Sequence, residues 1–445
     1  MEEKTPTLDS EEIKKMSKSG DYKDEDIKTM VYENLKGLLA KAGNVVHYIG
    51  EAGAGGCLFM RIEESSGKKS YVKAGWDEPT INRVQKNIKY FNRLPKDKFS
   101  WLHPCETTTQ PSLYYLLMND EGRNYEVILK GAEKDDSLVA TAYLLNFFGV
   151  SSFLDELEKN SGSGGESNLE EKVEIVKPEK NLLSTLITAD SKNVTSKARD
   201  YLRAAIKRDY EHISELKELA STDKEKLEFI NKIERKLGEY KTHIDDICGS
   251  RTPVVVCPSD TNPSNFVGDI KFHEKKFGKS ARWEGSVKII DQVGTDEHLV
   301  YGPLPFSIGC FLTYAKDVNM PGAALNILCD RLKKAYIGKW DDEKGVYTKS
   351  PEFNYWTRAP KEPDSWCRAN ELFDIGSLHA KVAYLRNQYE RFAAGIKIAV
   401  PVEEKSIRLE DYVSKMDHRF KRIDKYSAIA SLDNPLKAFK QYTNF

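Results

Sequence analysis

The chain has 445 residues, with 68 Lys and Arg against 69 Asp and Glu, and 31% of its residues are charged. That length holds about two or three domains with cores of their own, and a net charge near zero gives no electrostatic reason to expect nucleic acid or an anionic membrane as partner. No apolar run approaches the ~20 residues that span a bilayer, and Met1-Glu2-Glu3-Lys4 begins no signal-peptide stretch, so a cytoplasmic protein is expected.

Residues 1–43 carry a charged amphipathic helix, with Ile27, Met30, Val31, Leu35, Leu38 and Leu39 on one face and Gly43 as its stop. It is expected to pack on the domain that follows. Val45 to Ile49 reads as a strand, the run from Gly50 through Gly53, Gly55 and Gly56 as a turn, and Cys57 to Ile62 as a second strand. Glycines there let backbone N–H groups approach phosphate oxygens with no Cβ in the way. A Rossmann fingerprint or a Walker loop would run from strand through glycines into a helix, and neither pattern is met. Lys73 follows in the alternating segment Ser70-Tyr71-Val72-Lys73-Ala74. Next comes a helix over Thr80 to Leu94, with Ile81, Val84, Ile88, Phe91 and Leu94 at helical spacing. Tyr125 to Lys130 reads as an apolar strand ending at Gly131, followed by Asp135-Asp136-Ser137 and a helix from Leu138 to Phe148.

Residues 160–178, with Asn160-Ser-Gly-Ser-Gly-Gly-Glu-Ser167, have linker composition. Two long helices follow, Thr195 to Ala220 and Asp223 to Ile247, the second opened by Thr222-x-x-Glu225 as a capping box. Their stripes, Leu202, Ile206, Tyr210, Ile213, Leu216 and Leu227, Ile230, Ile233, Leu237, Tyr240, Ile244, predict an antiparallel helical hairpin over 195–248. Beyond Pro305 the pattern is helical over Ala323 to Tyr336, Glu371 to Ala394 and Ser406 to Tyr426. The seven cysteines are scattered with no Cys-x-x-Cys pair, and His103, His298 and His379 lack metal-ligand spacing, which argues against a zinc site and for reduced thiols. Cys257 reads as a small apolar loop residue, since no His lies near it in sequence.

The chemistry concentrates in Cys257-Pro258-Ser259-Asp260-Thr261-Asn262-Pro263-Ser264-Asn265-Phe266 and, after a polar excursion, Lys288-Ile289-Ile290-Asp291. An Asp followed five residues later by an Asn supplies a group to orient a hydroxyl and an oxygen ligand for a hard cation. A second Asp at a strand end supplies another such ligand.

This layout resembles the catalytic loop, His-Gly-Asp-x-x-x-x-Asn, and the Ile-Asp strand end of the aminoglycoside phosphotransferase and choline kinase superfamily. Pro258 stands where that family has His. In Gly302-Pro303-Leu304-Pro305-Phe306-Ser307-Ile308, similar to its Gly-Asp-Pro-x-x-Asp-Leu turn, Ser307 stands for the Asp. The resemblance covers roughly residues 44–150 and 250–310. It implies an α+β, bilobal protein-kinase-like fold: an N-terminal extension (1–43), a small antiparallel β-sheet lobe (44–131) and a mainly helical lobe (132–445). The helical lobe would hold the inserted hairpin, the catalytic and metal-binding segment (250–292) and acceptor-binding helices (305–445).

The resemblance implies ATP and Mg²⁺ as cofactors and a small-molecule hydroxyl as acceptor. Asp260 would be catalytic, Asn265 and Asp291 metal ligands. Gly50, Gly53, Gly55, Gly56 and Lys73 would meet the phosphates, and the main chain of Leu129 and Gly131 the adenine edge. The family's helix Glu that fixes the lysine has Gln85, Asn87 or Glu78 as replacement. Trp340 to Glu343 and Phe353 to Trp356 could line an acceptor pocket. Two function classes follow, a small-molecule kinase or a nucleotide-binding pseudokinase whose helical hairpin presents a surface to a protein partner. An enzyme acting on protein side chains fits the loop less well.

Overall fold

The computed structural model describes residues 8–40, 43–52, 57–93, 105–106, 113–130, 134–160, 173–178, 182, 192–221, 224–248, 254–256, 261–274, 280–289, 301–317, 322–336, 339–341, 346–348 and 369–393. At the start, Asp9 caps α1 (Ser10–Ser19): its side chain accepts from the Glu12 amide, Glu12 accepts from the Asp9 amide, and Gly20 at φ 72° closes the helix. In α2 (Asp24–Ala40), Ile27, Val31 and Leu35 form the buried face.

Next come β1 (Val45–Ala52), β2 (Cys57–Glu63), β3 (Lys69–Ala74), α3 (Glu78–Arg93), β4 (Cys105–Glu106) and β5 (Tyr115–Asn119). The strands form one antiparallel sheet in the order β1-β2-β3-β5-β4. The two-residue period of a strand divides its side chains between two layers. Leu58, Met60, Ile62, Val72 and Ala74 share a core with Ile13 of α1 and Ile27, Val31 and Leu35 of α2. On the opposite face, Cys57 and Leu116 meet Val84 and Ile88 of α3.

The rest is mainly helical. In chain order it runs β6 (Arg123–Asn124), α4 (Tyr125–Lys130), α5 (Lys134–Phe147), α6 (Ser152–Asn160), β7 (Glu174–Ile175), α7 (Lys192–Leu219), α8 (Lys224–Thr242), α9 (Ile244–Cys248) and β8 (Val254–Val256). Then follow β9 (Phe266–Gly268), β10 (Ile270–His273), β11 (Arg282–Gly285), β12 (Lys288–Ile289), β13 (Tyr301–Pro303), α10 (Leu304–Asp317), α11 (Gly322–Tyr336), β14 (Lys339–Asp341), β15 (Val346–Thr348) and α12 (Ala369–Ala393). The architecture is α+β, an antiparallel sheet lobe followed by a mainly helical one.

The helical lobe has two adjoining cores. One centres on the rings of Phe147, Phe148, Phe266 and Phe311, which meet edge-on or tilted at centroid distances from 4.7 to 6.0 Å. The other holds the predicted hairpin. Lys217 of α7 bonds Glu234 of α8 at 2.6 Å, and the Leu202, Ile206, Ile213 and Leu216 stripe meets Ile230, Ile233 and Leu237. The hairpin's apolar stripes are spent internally, on each other and on Phe306 of α10 and Leu372, Ile375 and Leu378 of α12. His379 of α12 is buried, with Nδ1 2.7 Å from Oδ1 of Asp209 on α7, an internal tie between helices.

Three sequence expectations change. Tyr125–Lys130 is a helix, not a strand: Asn124 Oδ1 accepts from the Glu126 amide at 2.8 Å as its cap, and Tyr125, Ile128 and Leu129 face the core while Val127 stays exposed. At the far end of the 160–178 stretch, β7 pairs parallel with β11, and Val173 and Ile175 are buried. The polar excursion before Asp291 is a β-hairpin, β10 with β11, whose outer residues Lys271, Phe272 and His273 face solvent. Thr222, Ser406 to Tyr426 and Phe353 to Trp356 lie outside the described residues, and Trp340 and Asp341 sit on β14, which pairs with β15. Among the described residues no helix is long and apolar enough to cross a membrane.

Candidate functional site

Lys73 lies on the face of the sheet that α3 packs against. Its row runs across four strands, Gly50 paired with Phe59, Phe59 with Lys73 and Lys73 with Leu116. Gly50 and Lys73 are therefore two strand spacings apart, about 10 Å. The lysine is 6% exposed, an unusual depth for a charged side chain. The next residues on that face, Phe59 and Tyr71, stack with centroids 5.3 Å apart and planes 2° from parallel. Burial raises the Tyr71 phenol above its ordinary value, with Asp120 adding to the rise and Arg61 opposing it. Beside Lys73 there is thus a flat aromatic surface, half-buried, turned toward the segment that leaves the sheet.

That segment joins the two lobes. After β5 ends at Asn119, Asp120 Oδ1 accepts from the Gly122 amide at 3.1 Å, and Gly122 turns the chain at φ 104° into β6. A Cβ on Gly122 would stand 2.3 Å from Oδ1 of Asp269, so only glycine fits both the dihedral and the space. Glu121 binds Lys288 of β12 at 2.5 Å, and both side chains are mostly buried. Below it, β6, β9 and β12 form one small sheet in the order β12-β9-β6. Tyr125 Oη reaches across to the Ser286 carbonyl at 2.8 Å, and burial holds its phenol well above the usual range.

The loop with the candidate catalytic groups opens onto this sheet. Thr261 is buried, Pro263–Asn265 form one 3₁₀ turn closed by the Asn265 amide on the Asn262 carbonyl at 2.8 Å, and half-buried Asn265 stands directly before β9. Phe266 pairs with Ile289, so Asn265 lies beside the strand whose chain continues to Asp291. Gly53, Gly55, Gly56, Gly131, Asp260 and Asp291 fall outside the described residues, although Ala52 and Cys57, on either side of the glycine run, pair with each other as adjacent antiparallel strands require.

Two site expectations are corrected. Leu129 is inside α4 with its side chain in the core, and its carbonyl accepts from Ser137 Oγ at 3.4 Å, so it offers no main-chain edge to a ligand. The chain leaves the sheet lobe at Asn119 to Gly122, a polar turn after the apolar run Tyr115 to Met118, and that signal was in the sequence. Glu78 binds Lys18 of α1 at 2.8 Å, which ties α1 to the start of α3. Half-buried Gln85 shares the sheet-facing stripe of Ile81, Val84 and Ile88. Among the described residues no three His, Cys, Asp or Glu side chains are placed to hold a metal ion.

No family model matches the chain, and no curated protein does. Solved structures similar to it include the apoenzyme of macrolide 2'-phosphotransferase from Brachybacterium faecium, at 10% identity and TM-score 0.35, over 84% of this chain and 99% of that one. Another, described as a fructosamine-3-kinase from Thermobifida fusca, has 12% identity and TM-score 0.29, over 80% and 96%. The gentamicin complex of APH(2")-IIa also has 12% identity and TM-score 0.29, over 80% and 97%.

Proposed function

We propose that the chain is an ATP- and Mg²⁺-dependent phosphotransferase that moves the γ-phosphate to a hydroxyl of a small-molecule acceptor. The observation that carries this reading is the pairing of Phe266 with Ile289, which gathers Asn265 and the strand leading to Asp291 at the junction with the lobe that buries Lys73. The donor types fit the groups they would hold. An amide oxygen at Asn265 and a carboxylate at Asp291 suit a hard cation, and a strand lysine in one row with Gly50 suits phosphate oxygens. Main-chain groups of residues 119–122 are assigned to the base edge in place of Leu129, and the Phe59 and Tyr71 rings to its face.

In this reading Mg²⁺ neutralises charge on the phosphates when bound. Asp260 accepts the hydrogen bond of the acceptor hydroxyl and orients its oxygen. Lys73 places positive charge against the phosphates from a site shielded from water, where it counts for more than at the surface.

A second reading, a nucleotide-binding protein without turnover, is favoured by the Lys18 and Glu78 ion pair, which engages the acid nearest the start of α3 elsewhere. One experiment separates the two. Purified protein is assayed for Mg²⁺-dependent ATP consumption against pooled hydroxylated metabolites, aminoglycosides and amino alcohols, beside Asp260→Asn and Asp291→Ala. Acceptor-dependent turnover lost in both variants supports the phosphotransferase and gives its acceptor class. Mg²⁺-dependent ATP binding without turnover supports the second reading, and absence of nucleotide binding sinks both.

A further inference from the structure

The residue after Asp260 has its side chain wholly withdrawn from solvent. Thr261 is 0% exposed, and its hydroxyl donates to the main-chain carbonyl of Ser307 at 3.4 Å. A buried hydroxyl costs free energy unless it is bonded, so this residue type at this depth calls for a polar partner. That partner belongs to the first turn of α10, and α10 is held with unusual closeness by α12.

The closeness comes from two glycines. A Cβ on Gly376 would lie 2.0 Å from the Phe306 carbonyl oxygen, and one on Gly309 would lie 2.1 Å from that of Phe373. Backbone therefore touches backbone on both sides of Ser307. The crossing is further fixed by Thr313 Oγ1 at 2.7 Å from Ser377 Oγ and by Cys310 Sγ at 3.1 Å from the Gly376 carbonyl. Downstream, the 3₁₀ turn closes the loop at Asn265. The loop is thus anchored just after Asp260, first to the close α10–α12 crossing through Thr261 and then by its own 3₁₀ turn.

We infer that Thr261 is a positioning residue for the proposed transfer. Its tether to Ser307 fixes the backbone next to Asp260, and through it the direction in which that carboxylate meets the acceptor hydroxyl. This rests on the phosphotransferase reading. The threonine touches neither nucleotide nor acceptor in this scheme, so its removal acts on orientation and not on binding.

The test compares Thr261→Val, which removes the hydroxyl at nearly constant volume, with Thr261→Ser and Thr261→Ala, in the full chain. Mg²⁺-dependent ATP turnover, with acceptor and as basal hydrolysis, is measured together with KM for ATP and the Tm. The expected result is a kcat lower by roughly ten- to a hundred-fold in Val and Ala, the cost of a small misplacement, with KM for ATP nearly unchanged and most activity retained in Ser. Should the Val variant fail to fold, the Ala and Ser pair carries the same comparison. A kcat in Val or Ala close to the parent's overturns the inference while leaving the phosphotransferase reading intact. So does an equal loss in Ser, or a loss that follows the Tm and KM. A parent protein with no turnover at all overturns the reading, and the inference with it.

Discussion

The Tyr240 hydroxyl stands 3.0 Å from Oδ2 of Asp374, tying the end of α8 to the first turns of α12. Burial pushes the Asp374 carboxyl up from 3.8 to about 7, against the hydrogen bond from Tyr240 and the positive charges of Lys381 and Lys236, which pull it down. The folded chain therefore keeps a proton that the unfolded chain releases over that interval. The stabilisation is complete below about pH 4 and is lost as pH rises through about 7. Asp374→Asn, neutral at every pH, is expected to gain Tm relative to the parent between about pH 5 and about pH 8. Melting curves of both proteins across that range check it, and a constant difference rules it out.

Gly376 allows α10 and α12 to meet at backbone contact. With the Phe306 carbonyl 2.0 Å from where a Cβ would sit, Gly376→Ala must part the helices, at a cost of roughly 1–3 kcal/mol. Urea unfolding is expected to show a lower midpoint at unchanged slope. A midpoint equal to the parent's would mean that the crossing is looser than described.

Asn124 caps α4 through the Glu126 amide. Asn124→Ala is expected to lose about 1 kcal/mol and Asn124→Asp very little of it, since either carboxylate or amide oxygen accepts the bond. Amide exchange confined to residues 125–130 reads the effect directly.

Lys73→Met keeps the buried stem and removes the charge. On the proposed function the same change weakens Mg²⁺-dependent ATP binding by roughly ten-fold or more, because a charge-assisted contact to phosphate is lost. Titration calorimetry with ATP on parent and variant measures it.

Where the chain's own neighbours decide the structure, the sequence was a good guide. The strands on either side of the glycine run, the helix after Lys73 and the long hairpin were all legible, because each shows its period over many residues. Tyr125 to Lys130 was not, since six apolar and charged residues satisfy strand and helix alike; the cap at Asn124 and the exposure of Val127 decide for helix. β7 could not be read locally, because its partner β11 lies about a hundred residues further on and supplies the pairing. Glu78 was a fair candidate partner for Lys73 until α1 came into view, and the Asp9 and Glu12 capping box that starts α1 was present in the sequence. The loop chemistry was legible from spacing, whereas the Thr261 tether was not, as nothing local links residue 261 to residue 307.

Every described residue of the sheet and its covering helices precedes residue 120, and among the described residues the chain passes from this lobe to the other through the turn at Gly122. During synthesis the entire first core therefore leaves the ribosome before any of the helical lobe exists. It can close on itself, with Ile13, Val31 and Met60 already in contact range, while β9 and β12 are still unmade. The half that carries Lys73 is in this sense the older half of each new molecule, and it waits as a finished surface on which the helical half assembles.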